Sequence, residues 1–600
     1  MSALYTRWGK SLDRHNPLPE YPRPQLQRDS FINLNGVWQY AFTKTEDAPL
    51  IFDGDIVVPF SPEAPLSGVE RQLQKDEYLH YFRTFSLPHE FCRDRVLLHF
   101  DAVDQIADVF INNKNVAHHE GGYWPFVADI TDSLVDGTNE LRVAVRDNAD
   151  DDSFAYGKQK YVSGGIWYTQ QSGIWQTVWL ESVPENYIVS LAITPLFDDA
   201  AVRVEACASR QAEGAVVEVL AADGTCVANG VMHSIDDSEK IANHFDSAKT
   251  DRDFLTKSVC VIPLHEFCAW SPDDPYLYHL KITLGDDIVQ SYFGMRKFSY
   301  VMNNGCKVFA LNNKPYFHNG LLDQGYWPDG LLTPPSDDAL VFDIATMKAC
   351  GFNMLRKHIK IEGLRWYYHC DRLGMLVWQD IVSGGQPYSA PFITVIPLLG
   401  INNLSDKKYK RFGRASKVSR EQYRIELEQT ISHLFNCTCI ALWTPFNEGW
   451  GQFDALDIAQ SLRALDETRY IDHASGWHDQ GHDEMQSRHI YFKPIRMKND
   501  GRALCLTEFG GYILKVDGHA WCEKPFGYRT CKNEAALAHD YKTLFEKQVI
   551  PHFEREGLAA TVYTQLSDVE QEMNGLLTYD REVLKIPQSM LQEINKKLLF

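Results

Sequence analysis

Glu448 and Glu508 each close an apolar run that reads as a buried strand. The first stands in ALWTPFNEGWGQ (441–452), beside Asn447 and among Trp443, Phe446 and Trp450. The second stands in LCLTEFGGY (504–512), where Gly510 and Gly511 are expected to let a ligand approach the backbone closely. Two carboxyl groups at strand ends suit the cleavage of a glycosidic bond. One protonates the departing oxygen and the other attacks the anomeric carbon, and retention of configuration needs them about 5 to 5.5 Å apart. Apolar neighbours disfavour the charged form of a carboxyl, so Glu448 is expected to keep its proton near neutral pH, as an acid must. A lone glutamate at a strand end is more often an ion-pair partner; Asn447 and the surrounding rhythm of elements set these two apart.

That rhythm begins near residue 298, where strands alternate with amphipathic helices. Leu340, Ile344 and Met347 fall at helical spacing, Gly351 follows as a cap, and FNML (352–355) reads as a strand. A helix over 362–373 stops before Gly374 and leads into MLVWQD (375–380). Ser419 and Gln422 form a capping box for a helix with Leu427, Ile431, Leu434 and Phe435 on one face, ahead of IALW (440–443). FHNGLL (317–322), YIDHA (470–474), HIYF (489–492), LCLTE (504–508) and ATVYT (560–564) bring the strands to eight, the number in a (β/α)8 TIM barrel. Such barrels carry their chemistry at the C-terminal ends of strands, where both glutamates fall.

Ahead of the barrel the pattern is strand-like. RVLLHF (95–100), ADVFIN (107–112), ELRVAV (140–145) and QTVWLE (176–181) predict an antiparallel β-sandwich of jelly-roll type. VVEVL (216–220), KSVCVI (257–262) and YLYHLKITL (276–284) predict a smaller immunoglobulin-like sandwich, with the polar interval 233–255 as a long hairpin or mobile loop. The expected division of this multidomain α and β chain is 1–184, 185–297 and 298–600.

Composition narrows the function. The 600 residues carry a formal net charge of −21 and no basic stripe, which excludes nucleic acid held by phosphate neutralisation. No apolar stretch approaches the length of a membrane span and the N-terminus has no signal-like apolar region, so a cytoplasmic protein is expected. The thirteen cysteines are odd in number and scattered; Cys437 and Cys439, the closest pair, read as alternate strand residues, and reduced thiols are expected. No metal or cofactor is predicted.

The sequence resembles glycoside hydrolase family 2 over nearly its whole length. The first region carries LNGVWQYAF (34–42), VPFSPEAPLSG (58–68), HHEGGYWPFVADIT (118–131) and SGIWQTVWLE (172–181). The middle carries AWSPDDPYLY (269–278) and FGMR (293–296), and the last LNNKPYFHNG (311–320), GFNMLRKHIK (351–360), the Asn447-Glu448 pair and TEFG (507–510). The resemblance implies a retaining exo-acting β-glycosidase with Glu448 as acid/base and Glu508 as nucleophile. It gives Asn447 to the sugar 2-hydroxyl, Tyr491 to the support of the nucleophile, and His358 and Asp380 to the sugar subsite. Trp477 and His478, after the fifth strand, are further candidates for the pocket.

Two departures stand out: NCTCIALW (436–443), where relatives read Asn-His-Pro-Ser ahead of the strand, and Tyr563-Thr564-Gln565, where many place a tryptophan beneath the sugar. GLLTYDR (575–581) lacks the preceding Asn-x-Lys of glucuronidases, and a buried anion without a cation is costly. A small saccharide, β-galactoside before β-mannoside or β-glucuronide, is therefore the expected substrate; a homo-oligomer stays open, as does transglycosylation. A non-catalytic carbohydrate-binding protein is the alternative from another class. The acidic run DVEQEMN (568–574) reads as a solvated loop over the barrel mouth. Among Trp124, Trp167, Trp175 and Trp179, most are expected to be packing residues.

Overall fold

The computed structural model describes residues 4–150, 154–235, 256–389, 391–396 and 401–600. Most of the polar interval expected to form a loop, 236–255, lies outside them. Eight parallel strands form the barrel: β1 (His318–Asp323), β2 (Met354–Lys357), β3 (Leu376–Asp380), β4 (Ile440–Thr444), β5 (Tyr470–Ile471), β6 (Met485–Ile490), β7 (Ala503–Gly510) and β8 (Leu558–Thr564). They lie in the order β5-β4-β3-β2-β1-β8-β7-β6. Between β5 and β6 the link is made by a side chain, Gly476 N–H donating to Ser487 Oγ at 3.1 Å, so the barrel is nearly closed. Every residue of β1, β2, β3 and β4 is buried, as strands covered on both faces require.

Helices α1 (Asp337–Ala349), α2 (Leu364–Leu373), α3 (Lys417–Leu434), α4 (Ala455–Leu465) and α5 (Glu534–Leu544) cover the strands. Ser336 Oγ caps α1 by accepting from Ala339 N–H, and Gly374, at φ 73°, ends α2 in the left-handed region. The alternation fails twice. The segments 472–484 and 491–502 form no helix, because their Gly, Asp, Asn and Pro residues favour turns over helix interior. The cap of α3 is Ser416, not Ser419: Ser416 Oγ accepts from Ser419 N–H, while Ser419 Oγ accepts from the buried Arg414 guanidinium at 2.7 Å and Gln422 reaches Glu426. Cys437 and Cys439 lie in the turn ahead of β4 rather than on a strand, both as buried free thiols, and no disulfide joins any two of the thirteen cysteines.

Ahead of the barrel are two pairs of antiparallel sheets. In the first, strands 31–33, 178–183, 95–100 and 126–129 face a six-stranded sheet, and Trp38, Tyr81, Leu98, Phe100, Val143 and Leu180 fill the space between them. In the second, two four-stranded sheets enclose Ile193, Val204, Val217, Leu280 and Ile282. Both arise from alternation, with inward apolar and outward polar residues. Arg28 joins the units through Asp287, at 2.7 Å, and Glu181, at 3.1 Å.

The first sandwich also sends a loop, 154–172, over the barrel mouth. Tyr156 and Gly157 N–H both donate to Ser383 O, at 3.1 and 2.8 Å, just past β3. Beside this loop Trp124 Nε1–H donates to Thr430 on α3 at 3.1 Å. Trp124, Trp175 and Trp179 are buried, but Trp167 is half-buried and reaches the mouth. The acidic run at 568–574 corrects the expectation of a solvated loop: Asp568, Glu570 and Glu572 are each 3% exposed. Asp568 pairs with Lys585 at 2.6 Å, Glu570 accepts from Thr169 N–H at 2.7 Å, and Glu572 accepts from Tyr168 Oη. Glu570 and Glu572 thus meet the sandwich loop, while Asp568 is held within the barrel unit by Lys585. No helix among the described residues is long and apolar enough to cross a membrane.

Candidate active site

Glu448 lies in the turn after β4 with φ 51°, a left-handed conformation rare for glutamate and held by Glu448 N–H donating to Ser475 O at 3.0 Å. The residue is 8% exposed, and its carboxyl accepts from His489 Nδ1 at 2.8 Å. Glu508, near the end of β7, accepts from Arg356 Nη1 at 3.1 Å and from Tyr491 Oη at 2.5 Å. One oxygen of Glu448 and one of Glu508 lie within 4.8 Å of each other, with His489 between them.

Arg356, on β2, organises the floor. Its Nε and Nη2 grip both oxygens of Asp380 at 3.0 Å, Nη1 reaches Glu508, and Nη2 donates to Asn447 Oδ1 at 2.8 Å. The last contact fixes the Asn447 amide, because a guanidinium only donates. Asn447 Nδ2 is thereby turned away, buried and without a protein partner. A buried amide donor left open beside two carboxyls is where a ligand hydroxyl gains most.

The remaining sequence-predicted residues divide. Tyr491, just past β6, belongs to the site: it accepts from Thr564 Oγ1 at 2.9 Å while donating to Glu508, and Tyr528 stacks on it with ring centroids 4.1 Å apart. His358 donates Nδ1–H to Asp380 at 2.8 Å and holds its ring 6.3 Å from that of Trp450. Asp380 is 1% exposed with both oxygens engaged, so it braces Arg356 and His358 rather than facing a ligand. Trp477 is half-buried, 6.3 Å from the His489 ring. His478 points elsewhere: its Nε2 donates to Phe392 O at 2.8 Å and its ring packs on Phe412. Gly510 and Gly511 do not serve ligand approach as expected. A Cβ on Gly510 would meet Tyr563 at 2.2 Å, and one on Gly511 would meet Tyr528 at 2.5 Å, so both glycines admit aromatic rings.

Arg356, His489 and Lys158 were not among the predicted site residues. Lys158 comes from the sandwich loop with its side chain 6% exposed, its Nζ 3.8 Å from Glu572 Oε2 and 5.7 Å from the centre of the Trp450 ring. Trp450 and Trp167 stand 5.1 Å apart as an aromatic wall at the mouth. Glu448, His489 and Glu508 also form a cluster of the size that holds a metal ion among the described residues. Hydrogen bonds already engage each of those three side chains, which gives the cluster a reading without an ion.

Burial pushes Glu448 up to about 8, against the pull of Lys158 and Arg356. Burial also raises Glu508, as does Glu448, while His489, Arg356 and the Tyr491 hydroxyl pull it back. The same burial takes His489 down to about 4, leaving a neutral imidazole at pH 7. Asp380 is carried below the ordinary carboxylate range, Arg356 and His358 outweighing its burial.

Models of glycosyl hydrolases family 2 match residues 70–184 (its sugar binding domain), 186–296 and 306–501 (its TIM barrel domain), and the chain belongs to that family. It is 24% identical over 438 residues to a β-galactosidase of Halalkalibacterium halodurans, an alignment covering 69% of this chain and 38% of that enzyme. It is 26% identical over 385 residues to a β-glucuronidase of Bacteroides fragilis, covering 62% of this chain and 50% of that enzyme. The chain thus spans half or less of the length of these relatives. The solved β-D-glucuronidase of Dictyoglomus thermophilum shares the fold at 16% identity with a TM-score of 0.71, over 96% of this chain and 98% of that one. A β-galacturonidase of Eisenbergiella tayi does so at 17% and 0.67, over 96% and 98%.

Proposed function

We propose that this chain is a retaining exo-β-glycosidase that acts on a small saccharide through a covalent glycosyl-enzyme, with its units meeting near residues 184 and 297. The observation that carries the reading is the approach of the Glu448 and Glu508 oxygens to within 4.8 Å. That separation suits direct attack by one carboxylate, whereas an inverting pair stands about 6.5 to 9.5 Å apart to admit a water. Glu508, facing Arg356 and Tyr491, is the group that ionises first and attacks the anomeric carbon. Glu448, held neutral by burial, gives its proton to the leaving oxygen and then recovers one from water in the second step. Asn447 Nδ2 donates to the sugar 2-hydroxyl, a contact that tightens in the transition state.

A neutral glycone, galactoside before mannoside, is the primary reading. Lys158 and Glu572 are a matched cation and anion, and together they offer a donor and an acceptor to hydroxyls. Lys158 also favours a second reading, a uronide, because it brings a buried cation that the segment before Gly575 lacks. A panel of p-nitrophenyl β-glycosides decides between them: release from the galactoside or mannoside, with the β-anomer appearing first by NMR, supports the primary reading. Preference for a glucuronide or galacturonide, lost in Lys158→Met, supports the second. Saccharide binding with no release from any glycoside overturns both.

A further inference from the structure

The bonding around His489 is decided by a neighbour that cannot accept. Arg356 Nη1 lies 3.5 Å from His489 Nε2. A guanidinium carries donors only and stays charged, so a proton on Nε2 would oppose another proton, and Nε2 keeps its lone pair. Ser475 Oγ, 3.2 Å away, is placed to add a second donor to that lone pair. In a neutral imidazole the hydrogen then belongs on Nδ1. Nδ1 faces Glu448 Oε1 at 2.8 Å and Glu508 Oε2 at 3.5 Å. The ring has no room to turn away: its side chain is 0% exposed, and a Cβ on Gly476 would meet it at 2.3 Å.

We propose that His489 is a positioning residue for Glu448, donating Nδ1–H to Oε1 so that the transferable proton of Glu448 stands on Oε2. This rests on the reading of Glu448 as acid/base. During the first step the proton on Oε2 passes to the glycosidic oxygen as its bond to the anomeric carbon breaks and the bond from Glu508 forms. Glu448 becomes a carboxylate with Oε1 still held. In the second step Oε2 takes a proton from water as the water oxygen attacks the anomeric carbon and Glu508 leaves. His489 gains and loses no proton in either step.

A donor to the ionised form lowers a carboxyl's pKa, so His489 opposes the upward push of burial on Glu448. The other charged and titratable groups that act on Glu448 come from every side: Lys158 from the sandwich loop, Arg356 from β2, Glu508 from β7, Glu572 from beyond β8, and Tyr491 and Tyr528. A change at His489 leaves all of these in the chain. The sign is therefore fixed: removing the donor moves the alkaline limb of the rate profile upward.

The test compares His489→Leu, which fills space without donating, with His489→Asn, whose amide nitrogen can occupy the place of Nδ1. His489→Leu is expected to lower kcat on a poor leaving group by about 10- to 100-fold with little change in KM. It is also expected to raise the alkaline limb of kcat/KM by about one pH unit. His489→Asn should return that limb close to the wild-type position. An unmoved limb in His489→Leu, or equal limbs in the two variants, overturns the proposal. Wild-type protein inactive on every glycoside sinks the acid/base reading separately, and a second measurement still decides the tautomer. In ¹⁵N-histidine-labelled protein at pH 7, the signal lost in His489→Asn should be that of a neutral ring protonated on Nδ1. A signal protonated on Nε2, or on both nitrogens, contradicts it.

Discussion

Two glutamates given different environments can divide acid and nucleophile chemistry between them. Glu448 meets an imidazole in a buried setting, whereas Glu508 meets a guanidinium and a phenol. The proposed acid role requires Glu448 protonated, so kcat/KM is expected to fall as pH rises through about 8. A profile still rising at pH 9 would contradict the assignment. Replacing Glu448 with Ala should slow poor leaving groups by about 100-fold or more, while a dinitrophenyl glycoside, which leaves unprotonated, should lose far less. Equal losses on both substrates would remove Glu448 from the acid role. Asn447→Ala loses the open Nδ2 donor and should cost about 100-fold in kcat/KM on a natural glycoside, but much less on a 2-deoxy glycoside.

At the scale of elements, the barrel places these residues by ending strands together, and glycine decides how closely the ends approach. Gly476, at φ 82°, lies against the His489 ring, and Gly511, at φ 68°, lies against Tyr528 and Tyr491. Gly511→Ala should displace the stacked tyrosines and lower kcat about tenfold or more without unfolding the barrel. Wild-type kinetics with an intact melting curve would show that those rings do not hold Glu508. Seven of the eight strands were legible from apolar runs between turn residues, whereas the sixth, read over 489–492, runs over Met485–Ile490 and shares only two residues with that reading. The positions of both glutamates were legible because strand ends in a barrel are predictable. Two absent crossover helices were not, since eightfold repetition suggested elements that Gly, Asp and Pro forbid locally. Arg356 on β2 and His358 just past it carried a signal in their spacing of two, as did His489 on β6 and Tyr491 just past it. Lys158 carried none: its partner Glu572 lies near the other end of the chain, and only the docked sandwich loop brings them together.

For the whole molecule, burial of titratable groups makes stability depend on pH. Glu448 and Glu63 are raised to about 8, and Asp101 and Glu426 to about 7, all by burial first. A carboxyl raised in the folded state contributes stability that is complete below its unfolded value and lost as pH climbs through the folded one. His99 and His489, lowered by burial to about 4, act in the opposite direction and only below about pH 6.5. The melting temperature is therefore expected to drop by a few degrees between pH 6.5 and 8.5, and Glu448→Gln should drop less; a rise over that window would contradict the assigned shifts. The central claim concerns one covalent bond, and the mass of the intact protein reports it directly. Incubation with the 2-fluoro glycoside of whichever sugar the chromogenic panel selects should add one sugar to the wild type, on the peptide that contains Glu508, and none to Glu508→Gln. A label on any other residue, or steady turnover by Glu508→Gln, would contradict the account.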